Sequence, residues 1–294
     1  MDAMSERDWM AAQFEEHRPR LRAVAHRMLG SVAEADDALQ DAWLRADRAD
    51  TSAVENPGGW LTTVVARVCL NLLRARETRR EEELSADRLP ASAVRVTDPE
   101  EEVLLTDSVG LALLIVLDTL APAERLAFVL HDMFQVPFDE IAPLIDKTPA
   151  TTRQLASRAR RRVRGAPTPA GDASRRHRVV HAYLAATRGG DFDALLALLH
   201  PDVVLHADRA VVPTPEPVLV RGARPVAEGA MASLGRARSA ALVLVDGEIG
   251  MAMLEAGRLR VLLRFAFDGE LIREIDVVAE PERLRKVEVA LVQG

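Results

Sequence analysis

Apolar residues recur at spacings of three and four over residues 8–80, and again over 103–165. In FEEHRPRLRAVAHRML, Leu21, Val24, Ala25 and Met28 fall on one helical face, and in EADDALQDAWLRA, Ala35, Leu39, Ala42 and Trp43 do the same. Asn56-Pro57-Gly58-Gly59 breaks the chain before WLTTVVARVCLNLLRARETRR, whose Leu61, Val64, Val65, Val68, Leu72 and Leu73 form a wide stripe. Residues 81–102, EEELSADRLPASAVRVTDPEEE, lose that periodicity. Pro90, Pro99 and blocks of like charge predict an extended linker there.

Helical pattern resumes over 103–165. Pro122 suits a first helical turn and opens PAERLAFVLHDMF, with Leu126, Val129, Leu130 and Met133 as the expected buried face. PFDEIAPLI follows, in which Pro143 should kink or shorten the helix. Next come a short turn at Asp146-Lys147-Thr148 and TPATTRQLASRARRRVRG. Here Thr148 suits an N-cap, Pro149 the first helical position, and Thr152, Leu155, Ala159 and Val163 a stripe that can pack on Phe138, Ile141 and Leu144.

Residues 166–173 read as a second linker, and over 174–290 the pattern changes. Two helices are expected first, the first ended by Gly189-Gly190 and the second capped by Asp191. Alternating runs then predict a meandering antiparallel sheet: VVLHA, PVLVRG, SAALVLVDG, EIGMAML and RLRVLLRFAFDGELIREIDVVA, with a hairpin at Asp268-Gly269. The fold class is therefore multidomain, with two all-α helical regions followed by an α+β region.

Composition narrows the function. A hydrophobic content of 48% is that of a globular protein. Cys69 is the only cysteine, which excludes an internal disulfide and a multi-thiolate zinc site and fits a reducing cytoplasm. No metal or cofactor is implied. The N-terminus lacks the basic start and apolar core of a signal peptide, and the longest apolar run, Val109 to Leu117, is too short to span a bilayer. No membrane association is expected.

Formal net charge is -7, yet Thr148 to Gly165 contains no acidic residue. Its outward face carries Thr151, Arg153, Gln154, Ser157, Arg158, Arg160, Arg161 and Arg164. A basic face alone is usually only solvated surface. Preceded by a short amphipathic helix and a tight turn, it is a helix-turn-helix suited to a DNA major groove. Residues near its start would reach base edges and arginines further along would neutralise phosphates. Screening over about 8 Å at physiological salt keeps distant acidic segments from cancelling this patch.

EADDALQDAWLRADR resembles the core-binding helix in region two of sigma-70-type transcription initiation factors. WLTTVVARVCLNLLRARETRR resembles the helix that reads and opens the minus-ten element. LAPAERLAFVLHDMFQVPFDEIAPLIDKTPATTRQLASRARRRV resembles region four, which reads the minus-thirty-five element. Two such regions without region three resemble the extracytoplasmic-function (ECF) group. The resemblance implies a promoter-specificity factor that is not itself an enzyme, whose partners are promoter DNA and the polymerase core through the β′ clamp helices and β flap. It implies that Asp36, Asp37, Gln40, Asp41 and Trp43 face the clamp, although Trp43 also suits core packing. Trp60 and the preceding loop would capture an extruded minus-ten base, and Arg67, Arg74, Arg76, Arg79 and Arg80 would track phosphates.

Residues 174–290 resemble the SnoaL-like cone fold, which a subgroup of ECF factors carries as a C-terminal extension that serves in place of a separate anti-sigma protein. This chain departs from that subgroup at Asp208-Arg209-Ala210, where an Asp-Gly-Gly-type turn is usual, and in having only Arg88-Leu89-Pro90 in its linker. Tyr183, His206 and Asp208, with His181 near in pattern, are the candidate cone-pocket residues. Tyr183 and Asp208 fall near the positions of the hydroxyl donor and general base of ketosteroid isomerases, but a tyrosine on an apolar helix face is more often packed in a core and an aspartate at a strand end is more often a turn residue. Two alternatives stay open: an operator-binding regulator that senses a small molecule in the cone, and an isomerase or cyclase fused to a DNA-binding region.

Overall fold

The computed structural model describes residues 6–51, 54–85, 108–164, 172–211 and 217–292. Most of the two composition-defined linkers, including Arg88-Leu89-Pro90, lies outside the described residues, as does the Arg80 side chain. The chain divides into two compact units, one of Met1–Asp98 with Leu120–Arg160, the other of Pro99–Thr119 with Arg161–Gly294.

The first unit is helical. Helices α1 (Glu6–Leu29), α2 (Val32–Ala46) and α3 (Pro57–Ser85) pack together through the predicted faces. Leu21, Val24, Met28, Leu39 and Leu61 are all fully buried. Helix α3 begins three residues earlier than the sequence suggests, at Pro57 instead of Trp60. Asn56 accepts a hydrogen bond from the Gly59 N–H (3.0 Å), and Pro57 to Gly59 are the first helical residues. Gly58 faces the His17 ring, which a Cβ there would approach to 2.8 Å.

The same unit holds the second helical region from Leu120 onward. After α4 (Ser108–Asp118), which belongs to the other unit, the chain forms α5 (Pro122–Phe128) and a π-helical turn over Val129–Met133. A short α6 (Phe138–Ile141) continues as a 3-10 turn over Ala142–Ile145, the shortening that Pro143 predicts. Asp146, left-handed at φ 55°, turns the chain into α7 (Pro149–Arg164). Its cap is the predicted one, the Thr151 N–H donating to the Thr148 hydroxyl at 3.2 Å.

The second unit is α+β. Helices α8 (Asp172–Gly189), α9 (Phe192–Ala197), α10 (Ala223–Ala232) and α11 (Leu234–Ala237) accompany a seven-stranded sheet. The strands are β1 (Leu199–Ala207), β2 (Val218–Arg221), β3 (Ala240–Val245), β4 (Glu248–Glu255), β5 (Arg258–Asp268), β6 (Leu271–Val278) and β7 (Val289–Ala290). Their order is β2-β1-β6-β5-β4-β3-β7. Asp191 caps α9 as predicted, its carboxylate accepting from the Ala194 N–H at 2.9 Å.

The sheet is not wholly antiparallel. The meander from β3 to β6 brings its last strand beside the first, so β1 and β6 pair in parallel, with Leu205 opposite Ile275. One face packs on α8, α9 and α10 around Val180, Leu195, Val203, Val226 and Ile275. Helix α4 also packs on β3, β4, β5 and β7, and the Leu259 N–H donates to the Asp118 carboxylate at 2.8 Å.

Candidate nucleic-acid interface

The basic helix presents the face its sequence predicts. Thr152, Ala156 and Ala159 are buried, so Arg153, Gln154, Ser157, Arg158, Arg161 and Arg164 are exposed on the other side. Arg153 lies over the Phe138 ring, 5.3 Å from its centroid, a cation–π contact that directs the guanidinium near the helix start. Phe138 stacks on His131 at 3.8 Å, and that imidazole is hydrogen-bonded to the Val136 carbonyl at 3.0 Å. The Thr151 hydroxyl is 3.0 Å from that of Thr148, within the helix cap.

Arg160 differs from its neighbours. Its guanidinium makes a bidentate pair with Asp132 in the π-helical turn, at 2.7 and 3.1 Å, which raises the guanidinium pKa. It fastens the basic helix to its partner. Arg76 is likewise turned inward, forming a close ion pair with Glu34 of α2 and donating to the Leu29 carbonyl at 3.4 Å. Arg67, Arg74 and Arg79 are exposed along α3, and Trp60 is half-buried in its first turn.

The acidic face lies on α2. Asp37, Gln40 and Asp41 are exposed, whereas Asp36 is held by Arg22 of α1 at 2.7 and 2.9 Å; that hydrogen-bonded guanidinium lowers the Asp36 carboxyl below its ordinary value. Trp43 is half-buried on α2. Its ring packs on Phe14 at 5.2 Å, and with Phe14, Arg18, Leu39, Gln40 and Leu44 it lines a groove of about 270 Å³. Leu44, half exposed, is a groove residue the sequence reading passed over; its signal is a large apolar side chain off the buried stripe of α2.

The three candidate residues of the second unit occupy three different environments. Tyr183 is buried edge-on to Phe265 at 5.4 Å, and burial pushes its hydroxyl well above the ordinary value. His206 is exposed on β1, with Glu274 3.8 Å away; the alternation of β1 puts it opposite the core-facing Val203, Leu205 and Ala207. Asp208 is buried and fully engaged. It accepts from the Ala279 and Glu280 N–H groups at 2.9 and 3.0 Å and pairs closely with Arg283, which also reaches Asp276 at 2.8 Å. Burial works to raise the Asp208 carboxyl, but those two N–H groups and Arg283 together hold it below the usual carboxylate range. Such a carboxylate ties the end of β1 to the end of β6, and both of its oxygens accept hydrogen bonds. His181 is exposed. Among the described residues no helix is long and apolar enough to cross a membrane.

Comparison with known proteins agrees with this layout. The sigma-70 region 2 family model matches residues 13–79 and the sigma-70 region 4 model matches 111–163. The chain is 40% identical over 249 residues to the ECF RNA polymerase sigma factor SigJ of Mycobacterium tuberculosis H37Rv, covering 81% of this chain and 79% of the relative. It is 39% identical over 208 residues to the probable ECF sigma factor SigI of the same organism, covering 70% and 72%. The crystal structure of M. tuberculosis SigJ aligns over 93% of this chain and 98% of that one, at 31% identity and a TM-score of 0.42. An acidic, grooved helix, an arginine-bearing helix after it and a capped basic helix-turn-helix thus fall inside the two matched regions, and the chain belongs to the extracytoplasmic-function sigma factors of RNA polymerase.

Proposed function

We propose that this chain brings core polymerase to a promoter through two separate surfaces, and that its α+β unit modulates this work without catalysing a reaction. The observation that carries the reading is the opposition of two exposed faces: acidic Asp37, Gln40 and Asp41 beside the Trp43 groove, and basic Arg153, Arg158 and Arg161 on α7. An acidic, amide-bearing face complements the basic clamp helices of β′, and the groove takes an apolar side chain from them. On DNA, Gln154, Ser157 and Arg153 are placed to read base edges, with Arg158 and Arg161 on phosphates. Arg67, Arg74 and Arg79 track the minus-ten strand, while Trp60 stacks on an unpaired base. Thr151, Arg160 and Arg76 act by holding these surfaces in place, as their intramolecular partners indicate.

For the α+β unit, the engagement of Asp208 with two backbone N–H groups and Arg283 supports a regulatory role over proton-transfer chemistry. The place of action is the cytoplasm, where core polymerase and promoter DNA are. Run-off transcription with purified core polymerase tests the reading: promoter-dependent transcripts are expected from the full chain, and Asp37→Ala with Gln40→Ala should abolish them by weakening core binding. Normal core binding by that double variant would overturn the α2 assignment.

A further inference from the structure

Helix α8 opens the α+β unit's own helices and lies wholly beyond residue 163, where the region 4 match ends. Its buried stripe is Val180, Tyr183, Leu184 and Thr187, and the helix packs on β3, β4, α9 and α11. Beside that stripe stand His177 and His181, the first half-buried and the second exposed. Positions i and i+4 of a helix share one face, with about 5–6 Å between their Cβ atoms. Burial, and then the charge of His181, holds the His177 pKa below its ordinary value, so the two rings sense one another.

The α+β unit holds four histidines, and they divide into two pairs. His200 Nδ1 accepts from the Asp202 N–H at 3.1 Å and lies 2.6 Å from the Arg273 guanidinium. His206 has Glu274 at 3.8 Å. His177 and His181, by contrast, have no hydrogen-bond or ion-pair partner among the described residues. Two neutral imidazoles one turn apart, with no carboxylate to charge them, offer two nitrogen lone pairs on one helix face.

That spacing is the one by which H-E-x-x-H helices present two histidines to zinc. Here the run is His177-Arg178-Val179-Val180-His181, so an arginine stands where the glutamate base of a metalloprotease would be. The nitrogen ligands are present and the hydrolytic base is not.

We propose that His177 and His181 form a binding site for a divalent transition ion of the zinc, nickel or copper class. Imidazole nitrogens suit these ions, whereas Mg²⁺ and Ca²⁺ require oxygen ligands. No cluster of three or more His, Cys, Asp or Glu side chains suited to a metal occurs among the described residues, so the ion's other positions are open to water. Closed structural zinc sites use four protein ligands and open catalytic ones three. A two-ligand site is weaker than either and exchanges its ion, so its loading follows the level of free metal. An ion bridging one turn also stiffens that turn, because opening it would break a metal–nitrogen bond.

The test is calorimetric titration of the full, untagged chain with Zn²⁺ alone at neutral pH, paired with amide hydrogen exchange. Binding is expected in the presence of millimolar Mg²⁺. His177→Gln and His181→Gln should each lower the affinity about tenfold or more, since loss of even an outer-shell partner of a metal ligand costs that much. Glutamine is a good helix former and neither position is in the core, so both variants are expected to fold. Zinc should slow exchange several-fold across residues 177–182 of the unsubstituted chain and leave it unchanged in either variant. No zinc binding by the unsubstituted chain, unchanged affinity in both variants, or slowed exchange confined to other segments would overturn the site.

Discussion

Arg160 on the basic helix and Asp132 in the π-helical turn before it are joined by two parallel hydrogen bonds. The pair fastens the second helix of the helix-turn-helix to the π-helical turn that precedes its first helix. Removing either partner should have the same effect. Arg160→Ala and Asp132→Ala are each expected to cost about 0.5–1 kcal/mol in denaturant unfolding, the range for a partly exposed pair, and the double variant should cost little more than either. Arg158→Ala and Arg161→Ala should leave stability unchanged and each reduce the salt slope of promoter binding by about one. A salt slope lowered by Arg160→Ala with no loss of stability would show that Arg160 leaves Asp132 for a phosphate.

This contrast marks how far the sequence can be read. The face of α7 was legible because its buried positions follow one helical period, and the Thr148 cap is a local signal. That Arg160 pairs inward was not, because Asp132 is 28 residues away in the chain. The same reason hides Arg76, whose partner Glu34 lies on another helix, and the buried Arg125 of α5, which donates to the Arg27 carbonyl 98 residues away. In the α+β unit alternation revealed most strands, but the parallel pairing of β1 with β6 joins segments some 70 residues apart, and β7 is only two residues long. Helices α10 and α11 lie between β2 and β3, where the short segment carries no alternation to mark them. Helix α4 is apolar on nearly every side, so its period says that it is buried without saying by what.

Acidification should weaken the helical unit through His26. Burial, then the charges of Arg27, Arg22 and Arg125, hold its imidazole pKa below the ordinary value of 6.5, and Asp36 opposes them only partly. A histidine with a depressed pKa binds fewer protons folded than unfolded. Its contribution to stability is therefore intact above about pH 7 and is lost progressively as pH falls through 6.5. Urea midpoints followed by tryptophan emission, since Trp9, Trp43 and Trp60 all lie in this unit, should drop between pH 7 and pH 5. His26→Gln should flatten that drop; an equal drop in the variant would assign it to other groups.

Asp208 makes a separate prediction for the α+β unit. Because its carboxyl is held below the usual range, the stability it supplies is complete at neutral pH and lost as pH falls below about 4. Asp208→Asn leaves the Arg283 guanidinium with Asp276 alone and weakens the cap on the Ala279 and Glu280 N–H groups. A loss of about 1–3 kcal/mol is expected at pH 7, with a shallower acid limb. Proton exchange from a model ketosteroid should be absent in the unsubstituted protein. Exchange abolished by the substitution would restore the isomerase alternative.

Helix α4 supplies the sharpest test of how the chain is divided. Ile115, Val116 and Leu117 are fully buried, and α4 packs on β3, β4, β5 and β7, although the region 4 family match begins at residue 111. An eleven-residue helix does not hold its shape alone in water, and each buried aliphatic side chain contributes about 1.5–3 kcal/mol. A chain ended at Gly165 would lose the strands that cover α4, so a change in its transcription would mix loss of the α+β unit with an uncovered region 4 helix. Ile115→Ala in the full chain separates the two. It should cost about 2–4 kcal/mol in the α+β unit, seen as faster hydrogen exchange in β3, β4 and β5, while the tryptophan-detected midpoint of the helical unit stays in place. The reverse pattern, with unchanged exchange in the strands and a lowered tryptophan midpoint, would return α4 to region 4.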